Sequence, residues 1–456
     1  MGKREPEASS ELLSRIGEAA VRPRPVWSSG RAYLISAVAG VVGLGAIWRF
    51  PYLVGEYGGG SFILAYLVCI VLVAIPFATL ESSTGYLLRS SSVGLFRYVA
   101  GRGGAMLGWG IAGVTVVLMS YYFVISGWTL GYAADALRQE VRAFPEFTAG
   151  MASLWLLLVT GLVVFLVLLR GVGAVESASR VLVPLLGVSV IALAVYAQTL
   201  DGAGESARFY FGLDAGHLFD GATWRAAAGQ AFYQMGIGQG FLIAYGSYSP
   251  AGLNMLRSSA ALAGANVGVS LVAGLMIFPI VFTFGIAPDA GAELAFTAFP
   301  EILGDMPGGA VVGIVFFVLL FVAAFTSCIG GAAVAGAAVR DEFHFNSRLA
   351  AAVVVGLIVL LGVPSALSYT AAGLSVDGEP FLEVVDRLMG SGVVVAVGLL
   401  GSALIAWRMP APRLVRSMRS GRRRIGPFVV HGAWIIYLGR VIPPLGLVAI
   451  GVSLVV

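Results

Sequence analysis

The chain has 456 residues, is 58% hydrophobic and 11% charged, and has a mean hydropathy of +0.91. A water-soluble globule of this size does not reach such values, so the chain belongs in lipid. Its formal charge of +4 comes from basic residues gathered between apolar stretches, a pattern that reports membrane topology rather than nucleic-acid binding.

A polar tail opens the chain at 1–31. It lacks the apolar core of a signal peptide and reads as a cytoplasmic segment. A membrane-spanning helix needs about 20 apolar residues, and eleven such stretches follow: 32–57, 61–88, 106–136, 150–170, 176–199, 223–248, 257–287, 308–340, 348–370, 380–408 and 432–456. Arg15, Arg22, Arg24 and Arg31 precede the first. Arg89, Arg97 and Arg102 follow the second, and Arg408, Arg413, Arg416, Arg419, Arg422, Arg423 and Arg424 crowd the loop 409–431 before the last. Asp201, Glu205, Asp214 and Asp220 (segment 201–222) and Asp289, Glu293, Glu301 and Asp305 fall in the opposite loops. Basic residues stay inside, which predicts a plasma (inner) membrane protein with a cytoplasmic N-terminus and, after an odd number of spans, an external C-terminus.

Cys69 and Cys328 lie within spans and read as small buried hydrophobes, and His217, His344 and His431 have no ligand spacing. The sequence therefore predicts no transition-metal site, no nucleophile–base set and no enzyme. Two spans are interrupted instead, at Gly40-Val41-Val42-Gly43-Leu44-Gly45 and at Gly236-Ile237-Gly238-Gln239-Gly240. Glycine costs a helix about 1 kcal/mol relative to alanine. Paired breaks in corresponding halves point to unwound helices that offer backbone groups to a ligand, carbonyls to a small cation and N–H groups to a carboxylate. Close packing of helices is the alternative reading of either break alone.

The run Gly43-Leu44-Gly45-Ala46-Ile47-Trp48-Arg49-Phe50-Pro51-Tyr52, followed by Glu56-Tyr57-Gly58-Gly59-Gly60-Ser61-Phe62, resembles the first-helix signature of the neurotransmitter:sodium symporter family. The similarity continues in Ile75-Pro76 to Glu81, Tyr121-Tyr122 to Gly131, Gly229-Gln230 to Tyr248, and Phe325-Thr326-Ser327. It implies an all-α integral membrane protein of the LeuT type, a 5+5 inverted repeat with discontinuous helices 1 and 6. The repeats would be 32–200 and 223–408, with the last helix at 432–456 outside them. The function implied is sodium-coupled import of an amino acid by alternating access. A proton-coupled transporter or a non-transporting sensor of the same fold is the alternative. Implied partners are the amino acid, sodium ions and the bilayer, with no nucleic acid; the oligomeric state stays open between monomer and weak dimer.

The resemblance also assigns residues. A second sodium site falls on Ala39, Val42 and Ala323 through carbonyls and on Thr326 and Ser327 through hydroxyls, although adjacent hydroxyls on an apolar helix commonly bond back to the preceding turn. The first sodium site is altered. Val41 and Asn266 remain, but Ala46 stands where the family has asparagine and Gln234 where it has a small hydroxyl residue. Either Gln234 fills the vacated volume and donates to the substrate carboxylate, leaving one sodium per substrate, or its carbonyl still binds the ion. The family's chloride site maps to Tyr66, Gln230, Gln234, Asn266 and Ser270, which leaves chloride dependence open. Tyr122, with the backbone of Leu44 and Gly45, is expected to meet the substrate carboxylate, and Tyr233 to cover the substrate. Leu118, Ile125, Gly236, Gln239, Thr326, Cys328 and Gly331 would surround the side chain. The small Gly236 and Gly331 leave room for a large or aromatic group unless other side chains fill in. Arg49 with Asp386 would form the outer gate, and Arg24 with Asp341, flanked by Trp27, Ser247 and Tyr248, the inner one. Glu81 is expected to accept hydrogen bonds from the unwound sixth span.

Overall fold

The computed structural model describes residues 25–288, 296, 298–418 and 432–453. Seven of its helices are long and apolar enough to cross a bilayer singly. The first crossing is instead split. Helix α1 (Gly30–Val41) starts at Ser29, whose side chain accepts from the Ala32 N–H, and ends at Val42, where φ −83° and ψ 87° leave the helical region. The chain resumes as a π-helical turn at Gly45–Arg49 and helix α2 (Phe50–Glu56), with Pro51 in the first turn, where its missing N–H costs nothing. The two parts are bent by 59°.

Helix α3 (Gly60–Leu88) and helix α4 (Ser92–Arg138) follow. The latter is two helices in one, because Ala100 and Gly101 leave helical geometry and Gly101 has φ 63°. Helices α5 (Ala152–Leu168) and α6 (Val172–Ala197) complete the first five crossings. On α5 the faces split by helical spacing: Leu157, Thr160, Gly161, Val164 and Leu168 are buried, while Trp155, Leu158, Val159, Leu162 and Leu166 are exposed. Both faces are largely apolar, as a helix between protein and lipid requires.

The sixth crossing is split like the first. Helix α7 (Gly221–Gln234) is capped by Asp220, which accepts from the Ala222 N–H, and helix α8 (Phe241–Ser247) starts after Gly240 at φ 76°. Gly236 and Gly238 between them have φ 67° and 75°. The left-handed backbone at these positions is what glycine supplies without steric penalty. Gly238 is also confined, since a side chain there would strike the backbone of Val394 and Gly398. Helices α9 (Met255–Thr283), α10 (Gly309–Phe343), α11 (Ser347–Ala366), α12 (Phe381–Arg408) and α13 (Gly432–Ser453) follow. Among the described residues seven helices, or eight spans with the bent pair counted as one, are long and apolar enough to cross, which is consistent with the eleven stretches expected.

Helix α10 packs along α4 and touches α1, while α8 lies on α3. These five helices surround the two breaks and place them side by side in the middle of the bundle.

Candidate functional site

A cavity of about 30 Å³ lies between the breaks. Gly45, Leu118, Tyr122, Tyr233, Gln234, Gly236 and Gln239 line it, as expected, and so do Gly40, Val41, Met119, Phe241 and Ser327. Leu44, Ile125, Thr326 and Cys328 are buried but do not line it. The Tyr233 hydroxyl donates to the Tyr122 hydroxyl at 3.0 Å, so the lid and the expected carboxylate partner are joined. The Gln239 side chain donates to the Tyr233 carbonyl at 3.0 Å, and the Gln239 carbonyl accepts from Thr115 at 2.6 Å.

The volume expected beside the small residues is taken in this closed form. A side chain at Gly331 would collide with Met119, and a Cβ at Gly236 would lie 3.0 Å from Val41 and 3.4 Å from Phe241. Gly331 does not line the cavity. A volume of about 30 Å³ holds one or two water molecules, not an amino acid. An amino acid would fit here only if side chains were displaced, and Met119, unbranched and adaptable, is the readiest to move. Met119 carried no signal in the sequence, being one more apolar residue in an apolar span.

The first break meets α10 at the expected sodium residues. A side chain at Gly43 would run into Ser327 Oγ and lie 3.4 Å from the Ala323 carbonyl oxygen. Thr326 donates to the carbonyls of Val322 (2.9 Å) and Ala323 (3.1 Å), and Ser327 to that of Ala323 (3.3 Å). Back-bonding and ion binding do not compete for the same atoms: each hydroxyl uses its proton toward the helix and keeps lone pairs for a cation. Ala39, Val42, Ala323, Thr326 and Ser327 are all buried. The glycine cradle and this oxygen-only donor set fit a small hard cation.

A second polar cluster lies beside the other break. The Tyr66 hydroxyl and Gln230 Nε2 both donate to Gln234 Oε1, at 2.8 and 3.1 Å. Gln234 Nε2 donates to Asn266 Oδ1 at 2.7 Å and to Ser270 Oγ, while Asn266 Nδ2 donates to the Gln234 main-chain oxygen at 2.6 Å. The Gln234 amide is thus turned toward Asn266 and Ser270 rather than being free for a substrate carboxylate. Ala46 is fully buried and adds no side-chain oxygen.

The residues expected at the two gates form two separate clusters. In one, the Arg49 guanidinium lies 4.6 Å over the Tyr233 ring and donates to Gln230 Oε1 at 3.3 Å. Asp386 accepts from the Tyr121 hydroxyl at 2.7 Å and is within electrostatic reach of Arg49. Tyr121 thus bonds an expected gate residue without having been singled out, although the Tyr121-Tyr122 pair was visible. In the other cluster the Trp27 ring is buried, its Nε1 donating to the Tyr245 carbonyl at 3.1 Å and its backbone N–H to the Tyr248 carbonyl at 2.9 Å. Arg340 donates to the Tyr248 hydroxyl at 2.8 Å, and Asp341 accepts from the Ser91 N–H at 3.0 Å. Arg89 donates to the Ser247 carbonyl at 3.0 Å. Arg24, the expected partner of Asp341, lies outside the described residues. Just before α1, the Glu176 carboxylate accepts from the Ser28 N–H (3.0 Å) and hydroxyl (2.5 Å), a tie that sequence reading missed because its partners are 148 positions apart. Glu81 Oε1 accepts from the Gly238 N–H at 2.9 Å, as expected.

A model of the sodium:neurotransmitter symporter family matches residues 24–148 and 136–450. The chain belongs to the sodium:neurotransmitter symporter family. It is 31% identical over 454 residues to the uncharacterized sodium-dependent transporter YhdH of Bacillus subtilis (strain 168), covering 95% of this chain and 98% of that one. It is 28% identical over 302 residues to the sodium-dependent neutral amino acid transporter B(0)AT2 of Bos taurus, covering 57% of this chain and 41% of that one. Among solved structures, that of MhsT in complex with L-phenylalanine superposes with a TM-score of 0.85 at 31% identity, covering 94% of this chain and all of that one. As a member of the symporter family the chain has the LeuT-type inverted-repeat fold with its first and sixth helices discontinuous, and it is a multi-pass membrane transporter rather than an enzyme.

Proposed function

We propose that this symporter imports a neutral amino acid with an apolar or aromatic side chain, driven by sodium, through alternating access to the cavity between the two breaks. The observation that carries this reading is the junction of Gly43 with Ala323 and Ser327, directly beside a cavity walled by Gly45, Tyr122 and Tyr233.

In this reading the carbonyls of Ala39, Val42 and Ala323 and the hydroxyls of Thr326 and Ser327 hold sodium. The bound ion supplies positive charge that ties the first break to α10 and so favours the form that accepts substrate. The carboxylate meets the Tyr122 hydroxyl and the backbone at Leu44 and Gly45, where the N-terminal end of the resumed helix favours an anion. The Tyr122–Tyr233 bond opens on entry and Tyr233 closes over the bound molecule. Leu118, Ile125, Phe241 and Cys328 offer apolar contacts, with Gln239 a polar one, and displacement of Met119 gives the side chain its room. A phenylalanine complex of a 31% identical structural neighbour supports an apolar or aromatic substrate.

Arg49, Asp386 and Tyr121 close the outer side in this scheme, and Trp27, Tyr248, Arg340 and Asp341 the inner one. The distribution of arginines supports a cytoplasmic N-terminus and an external C-terminus. A proton-driven cycle would call for an ionisable group at the ion site, and the five sodium residues include none. Reconstituted uptake of a panel of radiolabelled amino acids, with sodium and proton gradients imposed separately, tests the reading. Sodium-driven accumulation of phenylalanine, leucine or a similar residue is expected; accumulation driven by protons alone, or none for any amino acid, would refute it.

A further inference from the structure

The Gln234 side chain has no part in the cycle just described, yet its bonds bear on which ions the molecule couples to. We propose that this carboxamide stands in for both a second cation and an anion, so that one sodium ion accompanies each substrate and chloride is not required. The inference rests on the sodium-coupled reading above.

The orientation of each amide in the cluster is forced by groups that can act in only one sense. Asn266 presents one end to the Gln234 main-chain oxygen, which can only accept, so that end is Nδ2 and the other is Oδ1. Gln234 must then face Asn266 Oδ1 with its nitrogen. Gln230 presents one end to the Gly45 carbonyl (2.7 Å) and the other to the Arg49 guanidinium, which can only donate. Its nitrogen therefore points to Gly45 and to Gln234 Oε1, and its oxygen to Arg49. The network closes with every amide assigned.

That assignment engages the donors an anion would need and sets an N–H against each oxygen a cation would need. An anion here would be held by the Tyr66 hydroxyl and Gln230 Nε2, and both already donate to Gln234 Oε1. A cation would be held by Asn266 Oδ1 and the Gln234 main-chain oxygen, and each of these faces an N–H. Ala46 offers no replacement oxygen. One carboxamide therefore lies with its negative end where donors converge and its positive end where acceptors converge, the polarity an ion pair would have had.

Burial penalises any ion at this place. Tyr66, Gln230, Gln234, Asn266 and Ser270 are each at most 1% exposed, and none is charged. An ion placed among them would be stripped of water in a region of low dielectric, where the nearest charge, Arg49, is already bonded to Gln230 Oε1. A neutral dipole avoids that penalty for both ions together.

Equilibrium binding of radiolabelled sodium to the purified full-length protein, in saturating L-phenylalanine, counts the ions without requiring transport. One ion per chain is expected. Two would overturn the inference and leave sodium coupling intact, whereas zero would overturn the sodium-coupled reading and this inference with it. In proteoliposomes held at zero membrane potential, a tenfold sodium gradient should concentrate substrate about 10-fold for one ion and about 100-fold for two, and replacing chloride by gluconate should change nothing. A 100-fold ratio or a loss of uptake without chloride would overturn it. The double variant Gln234→Ser, Ala46→Asn should bind a second sodium ion; a folded double variant with the count unchanged would overturn the role given to Gln234.

Discussion

At Gly43 the proposed ion site depends on a missing side chain. A methyl group there would enter the space against Ser327 Oγ and Ala323 O. Gly43→Ala should therefore raise the sodium concentration for half-maximal uptake at least tenfold, which corresponds to about 1.4 kcal/mol. An unchanged sodium dependence in a folded Gly43→Ala protein would contradict the site. Gly238 serves the fold rather than the ion. Its φ of 75° would cost an alanine about 1–2 kcal/mol, and its N–H relies on Glu81. Glu81→Gln keeps an acceptor oxygen for that N–H, while Glu81→Leu leaves it unpaired at about 1–3 kcal/mol. Thermal unfolding in detergent should show a clear loss of stability for Glu81→Leu and little for Glu81→Gln. Residues of this kind were legible because glycines and a carboxylate stand out in an apolar span. Met119 and Phe241 were not, since an apolar side chain that fills a pocket looks like one that faces lipid.

Among the elements, the segment before α1 is the one that would control access from the inner side in the proposed cycle. Trp27 donates to the carbonyls of Tyr245 on α8 and of Tyr248 just after it, and makes ring contacts with Tyr245 (5.2 Å) and Tyr248 (6.0 Å). Glu176 on α6 holds the neighbouring Ser28. Removing the Trp27 side chain should favour the inward-open form. In a Cys69→Ala background, Trp27→Ala is expected to raise the rate at which a small thiol reagent modifies buried Cys328 several-fold, with Glu176→Gln acting the same way but less. Protection by sodium should reduce both; equal rates with and without Trp27 would contradict a gating role. The crossings themselves were readable because hydropathy is additive along a helix, and the breaks because glycine interrupts it. The start of α4 was placed at 106 instead of Ser92 because the stretch 92–99 contains Arg97 and fails a hydropathy count, although it folds as a helix before the bend at Gly101. The pairings of gate residues came from family resemblance, as nothing local to Arg49 or Asp386 reports a partner more than 300 positions away.

For the molecule as a whole, the small cavity corresponds, in the proposed cycle, to a form between the two open ones. Alternating access requires that sodium and substrate stabilise the same form, each raising the affinity of the other. Linkage makes the two effects equal, because they are one coupling free energy read from two sides. Typical couplings of about 1–3 kcal/mol would appear as a 5- to 150-fold change. The sequence could place the ion and substrate residues in one family pattern, but the juxtaposition of Gly43, Ser327, Tyr122 and Tyr233 needed the packing of α1, α4, α7 and α10. The most direct test of this account is calorimetric titration of the purified protein with L-phenylalanine at low and saturating sodium, matched by sodium titrations with and without L-phenylalanine. The account predicts that sodium tightens L-phenylalanine binding at least 5-fold, that L-phenylalanine tightens sodium binding by the same factor, and that Ser327→Ala abolishes both. L-phenylalanine binding that is indifferent to sodium would contradict it.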